Sequence, residues 1–341
     1  LVSAIPVFLY FKNEFILLAF LKLRKQDFEG AKKWLDKIKN PEGALVQKQQ
    51  GYFNYLHGIM LSQTNINQAE KYFKKAIELD IDLAIPSLKH LELIVAAGKA
   101  LGKKPRVHIE VDTGMTRGGL LGEWSEFLIA ASGAEIDVVG FWSHFARADE
   151  PDEIANQNQI QDFERKLAEL TATGITPKYI HLANSAAALT NSSSHKNIIR
   201  LGIAMYGLSP DVKTLGTSQT LELEPAMTLK AEIHLVKRVP AGSPVGYGGT
   251  QITSRDTKLA IITMGYADGI PRNSDSTAGV FADGRKAAII GRVSMDQFVV
   301  DLGPNSQAIS GDWVEVFGDG SNGGYRSEER RVGKECLRLC R

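Results

Sequence analysis

Between residues 103 and 210 the chain alternates two textures. Short runs rich in Val, Ile and aromatic residues fall at 107–111, 138–145, 179–183 and 198–206. Longer polar stretches separate them. In one of these, Ile154, Ile160, Phe163, Leu167 and Leu170 recur at roughly helical spacing. Such βαβα alternation needs crossover connections, and it predicts a parallel sheet or barrel with helices on its outside. Four strand–helix units make half of an eight-fold barrel.

The flanking regions read differently. From about residue 222 the runs 227–236, 259–264, 287–290 and 297–301 are apolar or alternating, and glycines such as Gly242, Gly246, Gly265 and Gly284 punctuate them. No helical period is sustained, so an all-β domain is expected. The region before residue 83 reads as helical. Ala31 shares a helix face with Trp34 and Leu35, and Ala69 shares one with Tyr72 and Phe73. Tyr52, Tyr55, Leu56 and Gly58 suit the first helix of a pair that Ala76, Ile77 and Leu79 close. This pattern resembles tetratricopeptide repeats, with fewer units than the three or so that such arrays need. The string Arg-Ser-Glu-Glu-Arg-Arg-Val-Gly-Lys-Glu-Cys at 326–336 reads like a translated sequencing adaptor.

The expected architecture is multi-domain, α/β plus β. It comprises a helical repeat-like segment over 1–82, a partial (β/α)8 barrel over 83–215, a β domain over 216–320 and a disordered, artefactual tail over 321–341.

Composition narrows the function classes. A net charge of +1 gives no bulk electrostatic case for nucleic acid or an anionic membrane. The two cysteines, Cys336 and Cys340, leave the globular part without a disulfide or a thiol nucleophile, which suits the cytoplasm. The seven histidines form no HxH or HxxxH pair, so no metal site is expected. The apolar start is interrupted by Pro6, Lys12 and Asn13. It reads as a buried first helix, or alternatively as the stub of a truncated membrane anchor.

Seven short motifs follow one another in order. They are Val111-Asp112-Thr113-Gly114-Met115-Thr116-Arg117, Ser143-His144-Phe145-Ala146-Arg147-Ala148-Asp149 and His181-Leu182-Ala183-Asn184-Ser185. Arg200-Leu201-Gly202-Ile203-Ala204-Met205-Tyr206-Gly207 comes next. Gly246-Tyr247-Gly248, Gly265-Tyr266-Ala267-Asp268-Gly269 and Gly291-Arg292-Val293-Ser294-Met295-Asp296 complete the series. Together, from about residue 103 to 317, they resemble the alanine racemase family, which joins a pyridoxal-phosphate (PLP) β/α barrel to a C-terminal β domain.

The resemblance implies a function and roles. The reaction is interconversion of L- and D-alanine through a PLP aldimine, in a homodimer, supplying a peptidoglycan precursor. Ser185, Gly202 and Ile203 would hold the phosphate. Arg200 would face the pyridine nitrogen, and a guanidinium that keeps its proton donates to that nitrogen without protonating it. Tyr247, supplied by the partner subunit, would be the catalytic base on one face of the substrate. His144 would orient Arg200 and bond that tyrosine. Arg117 would bind cofactor and substrate carboxylate, and the Met295 N–H would bind the same carboxylate. Asp149, Tyr266, Arg272, Arg292 and Asp296 would line the substrate access channel. Glu110 stands where some members carry a carbamylated lysine.

One part of the pattern is missing. The family's cofactor lysine lies in a Val-Lys-Ala-Asn-Ala-Tyr-Gly-His-Gly motif, and no such string occurs here. The repeat-like segment stands where the first half of the barrel belongs. The expectation is therefore a racemase that is inactive as given, with two unpaired sheet edges. An assembly chimera accounts for the join and the tail more simply than a natural pseudoenzyme. The alternative class is a non-catalytic interaction module, whose helical repeats bind a protein partner and whose racemase remnant is scaffold.

Overall fold

The computed structural model describes residues 14–23, 27–62 and 64–328. The expectations for the first thirteen residues and for 329–341, Cys336 and Cys340 included, lie outside the described residues. The chain divides into two compact units, residues 1–200 and 201–341.

Among the described residues the first unit opens with four longer helices, α1 (Glu14–Leu23), α2 (Phe28–Leu35), α3 (Gln47–Leu61) and α4 (Ile66–Glu78), with a single helical turn at Pro41–Ala44 between α2 and α3. The side-chain oxygen of Asn65 accepts the Gln68 N–H at 3.1 Å and starts α4. The helix pair read from the sequence is α3 and α4. A methyl at Gly58 would lie 2.8 Å from the Phe73 ring, so this glycine lets the two helices approach closely. His57 stacks on Tyr72 with ring centres 4.7 Å apart.

A four-stranded parallel sheet follows, in the order β1 (Leu83–Ile85), β2 (Arg106–Glu110), β3 (Asp137–Trp142), β4 (Tyr179–His181). Its crossovers carry α5 (Leu88–Leu101), α6 (Trp124–Ser132) and α7 (Ile154–Ala172), and α8 (Ser185–Thr190) follows β4. Gly102, at φ 59°, ends α5 in the left-handed region. Leu83, Ile85, Val107, Ile109 and Phe141 are fully buried on the helix side. There Phe141 meets Phe163 of α7 at 4.9 Å. Each such side chain contributes about 1.5–3 kcal/mol by leaving water.

Four strands were expected, but not these four. β1 was not anticipated. Residues 198–206 do not form a strand: Ile198 makes a single bridge to His181, and Ile203–Tyr206 is a 3-10 turn. Ile199 and Leu201 are exposed, so the apolar run there does not mark a buried strand.

The strand order leaves β1 and β4 as outer edges, as expected, and side chains meet some of the backbone groups there. The Tyr55 hydroxyl of α3 donates to the Ala84 carbonyl of β1 at 3.2 Å. On the far side Asn197 covers β4: its side chain accepts from Ile180 N–H at 2.7 Å and donates to the Lys178 carbonyl at 2.8 Å. Arg200 N–H then donates to the Ala183 carbonyl at 3.0 Å.

The second unit is the expected β domain. Its main sheet runs β10 (Arg285–Ala288), β9 (Gly279–Ala282), β12 (Trp313–Phe317), β5 (Leu229–Val239), β8 (Thr257–Ile262), β11 (Phe298–Asp301). Strands β9 and β12, absent from the sequence reading, sit inside this sheet. A small hairpin, β6 (Pro244–Val245) with β7 (Gln251–Ile252), presents the turn that holds Tyr247. Ile233, Ile262, Val280, Phe298 and Val300 form the centre of the core.

The tail expected to be disordered from residue 321 is ordered through Glu328. Glu328 is buried, and its carboxylate accepts the N–H groups of Ser209 and Ser218, both at 2.9 Å. Among the described residues no helix is long and apolar enough to cross a membrane.

Candidate functional site

The sheet face opposite the helices is polar and aromatic. Strand register aligns Ala84, His108, Gly140 and Tyr179 in one row. Glu110, Trp142 and His181 form the next row, at the C-terminal ends of the strands, where β/α barrels carry their chemistry.

Arg200 is anchored in this second row. Its Nη1 donates to His181 Nδ1 at 2.8 Å. Its Nη2 donates to the Ser143 carbonyl at 2.6 Å, the Leu182 carbonyl at 3.1 Å and His144 Nδ1 at 3.2 Å. The guanidinium also lies over the Trp142 ring, 5.0 Å from its centre. A guanidinium only donates, so both imidazoles accept on Nδ1 and carry their proton on Nε2. His144 therefore presents a donor on its outer nitrogen. Its backbone is clamped by α7, where Gln159 donates to the His144 carbonyl at 3.0 Å and accepts the Ala146 N–H at 2.9 Å.

Burial dominates the electrostatics. It lowers the Arg200 guanidinium to about 10, opposed by the charge of Glu110, which leaves it a cation at neutral pH. Burial, then Arg200, then His108 hold His181 down to about 3, so this imidazole is neutral. Burial raises Glu110 to about 7, against the pull of Arg117 and Arg200.

Arg117 leaves β2 on a loop built by Asp112. One Asp112 oxygen accepts the N–H groups of Gly114, Met115 and Thr116 at 2.8, 2.9 and 3.1 Å. A methyl at Gly119 would meet the Asp112 nitrogen at 2.6 Å, so the loop closes only on glycine. Ser185 is buried at the first turn of α8, whose start Asn184 caps by accepting from Ala187 N–H at 3.1 Å. Asp149 lies in the turn after β3, beside the Arg147–Glu150 ion pair. Gly202 and Ile203 belong to the second unit, where Gly202 precedes the 3-10 turn.

The second unit assembles most of its expected residues independently. Tyr247, Tyr266, Arg272, Arg292 and Met295 line one open concavity of about 530 Å³. Tyr247 is two-thirds exposed, on a turn where Gly246, Gly248 and Gly249 all have positive φ. Arg272 lies over the Tyr266 ring at 5.8 Å. The Met295 carbonyl accepts the Ala267 N–H at 2.8 Å, which ties the two loops together. Asp296 is exposed beside Met295 and does not line the concavity.

Of the three residues expected to converge, Arg200 and His144 are in contact, and Tyr247 stands on the second unit. The sequence reading assigned no part to His181, His108 or Asp112. The spacing of two that puts His108 beside Glu110 and Tyr179 beside His181 was the available signal.

Comparison with known proteins agrees with this geometry. Residues 55–210 match the alanine racemase N-terminal domain, and residues 226–331 match its C-terminal domain. The chain is 42% identical over 254 residues to the alanine racemase of Salinispora tropica, covering 73% of this chain and 67% of that protein. Among solved structures it is similar to the alanine racemase of Streptomyces lavendulae, with 40% identity, a TM-score of 0.71, and 75% of this chain and 68% of the other covered. The alanine racemase of Streptomyces coelicolor gives 38%, 0.72, 75% and 68%. The chain thus spans about two thirds of the length of these relatives. The first match reaches back to Tyr55, inside the segment expected to be a separate repeat. The second reaches residue 331, beyond the expected start of the tail. By motifs, by fold and by these matches, the chain belongs to the alanine racemase family.

Proposed function

We propose that this chain carries the cofactor and substrate side of an alanine racemase, and that interconversion of L- and D-alanine is the reaction its side chains serve. Pyridoxal 5′-phosphate is the family's cofactor. The observation that carries the reading is Arg200, a donor-only group fixed by four acceptors at the strand ends. Such a group suits an unprotonated ring nitrogen. Ser185, with the backbone N–H groups of Gly202 and Ile203, suits a phosphate. When bound, the cofactor would withdraw electron density from the substrate Cα.

The chain's own groups then divide the work. Arg117 and the Met295 N–H hold the substrate carboxylate. Tyr247, supplied by a second copy of the chain, moves a proton at Cα. His144 donates from Nε2 to that phenolic oxygen and stabilises its deprotonated form. Asp149, Tyr266, Arg272, Arg292 and Asp296 shape access. The homodimer and a cytoplasmic setting are part of this proposal.

The donor set does not fit the cofactor's aldehyde. The one lysine among the buried described residues, Lys166, donates to the Asp112 carbonyl at 2.7 Å and pairs with Asp162 at 3.0 Å. With the family's lysine motif absent, one face of Cα lacks its base, and turnover should be very low. The helices before Tyr55 are proposed as an addition to the racemase framework.

The test is reconstitution with the cofactor, followed by absorbance and by borohydride reduction with peptide mapping. Binding that is lost in Arg200→Ala, with no reduced lysine adduct and only trace D-alanine, is the expected result. Cofactor binding that is indifferent to Arg200 would overturn the reading.

A further inference from the structure

The anchor of Arg200 continues beyond His181. His181 Nδ1 accepts from Arg200, so its proton sits on Nε2. That Nε2 lies 3.1 Å from His108 Nδ1, which must therefore accept. The His108 proton is then on Nε2, and Nε2 faces Asp82 Oδ2 at 3.6 Å. This contact is too long for a direct hydrogen bond, and its effect is electrostatic. The other carboxylate oxygen, Oδ1, is held by the Arg106 guanidinium, with Nε at 2.6 Å.

The row is directional. The two hydrogen bonds donate toward Asp82, and each imidazole is neutral, accepting on δ and carrying its proton on ε. A reversed His108 would set two N–H groups against each other at the 3.1 Å contact. His108 is kept in line by Tyr179, stacked at 6.2 Å with planes 7° apart, and by Gly140, which leaves room for its ring. His181 is stacked on Trp142 at 5.7 Å. The donor-only guanidinium at one end of the row and the carboxylate at the other favour the same direction.

We propose that Asp82 is a positioning residue for Arg200: facing His108 Nε2, it stabilises the tautomers in which His108 and His181 accept toward the guanidinium, and so helps to hold it in place. Asp82 lies just ahead of β1, an outer strand of the sheet, whereas Arg200 is anchored at the ends of β3 and β4. The inference deepens the racemase reading and uses its Arg200, but it concerns the arrangement of the cofactor-free chain.

The experiment is long-range nitrogen–proton correlation NMR on the full, 15N-labelled chain without cofactor. His108 and His181 are expected as single Nε2–H tautomers. Asp82→Asn, which keeps the shape and an oxygen for Arg106, should turn His108 into a tautomer mixture and broaden the Arg200 side-chain signals, and Asp82→Glu should restore both. A wild-type spectrum with Nδ1–H on either histidine overturns the proposal, and that measurement needs no variant. So does an Asp82→Asn spectrum with both histidines unchanged. Cofactor absorbance on the same samples separates the two readings: correct tautomers with no cofactor binding would sink the racemase proposal and leave this one standing.

Discussion

Gly140 lies directly beneath the His108 imidazole: a methyl group at 140 would come within 1.9 Å of His108 Nδ1. The strand register that pairs His108 with Gly140 therefore requires a residue without a side chain there. Gly140→Ala should push the ring aside and break the His108–His181 hydrogen bond. The overpacking should cost about 1–3 kcal/mol. Urea denaturation checks this, and an unchanged midpoint would count against the described packing.

Acid should destabilise the first unit. His181 is held to about 3, and His57 and His90 to about 4, each chiefly by burial. All three are depressed below the ordinary value of 6.5, so the unfolded chain takes up protons first as pH falls. Stability is then full above about pH 6.5 and declines toward pH 4. His181→Gln should remove about one proton's worth of that slope, about 1.4 kcal/mol per pH unit. Denaturation midpoints across this range read the difference.

Glu110 has the opposite sign. Burial raises its carboxyl to about 7, so the folded chain keeps a proton that the unfolded chain releases near 4.5. Its contribution falls as pH rises from about 4.5 to 7. Glu110→Gln should therefore gain about 1–3 kcal/mol relative to wild type on going from pH 4 to pH 8. A variant that loses ground over that interval would show that Arg117 and Arg200 need the negative charge more than burial opposes it.

The end of the described chain supplies a separate test. Glu328→Ala leaves the Ser209 and Ser218 N–H groups buried without their acceptor. A loss of about 2–6 kcal/mol in the second unit follows, at about 1–3 kcal/mol for each of the two stranded donors. If thermal unfolding of Glu328→Ala matches wild type, this stretch is an appendage after all.

The parts of the site carried by short contiguous motifs were legible in the sequence. The Arg117 loop, the His144 strand end and the Tyr247 turn each sit where a strand-and-turn reading puts them, while Arg200 was marked by its motif although the strand expected around it does not form. The helix over 154–172 was equally plain, because its apolar residues recur at a helical period. What escaped depended on register. His108 and His181 are 73 residues apart and meet only because a bulge after Val107 sets His108 opposite Gly140. Strand β1 is three residues between Asp82 and Pro86, too short for a periodic signal. The run at 198–206 misled because it is apolar without being buried, and a backbone turn at Gly202 ends any extended reading. Glu328 was hidden within a string that looked foreign to the fold.

The way the first unit finishes its sheet bears on how the protein behaves in concentrated solution. Half of a barrel should offer two sticky rims to any passing β-strand. Here a phenol from α3 occupies a carbonyl on one rim, and a single asparagine imitates the next strand on the other. Each such bond takes one backbone group away from any strand that would pair there, so the rims offer fewer free donors and acceptors than the strand order alone implies.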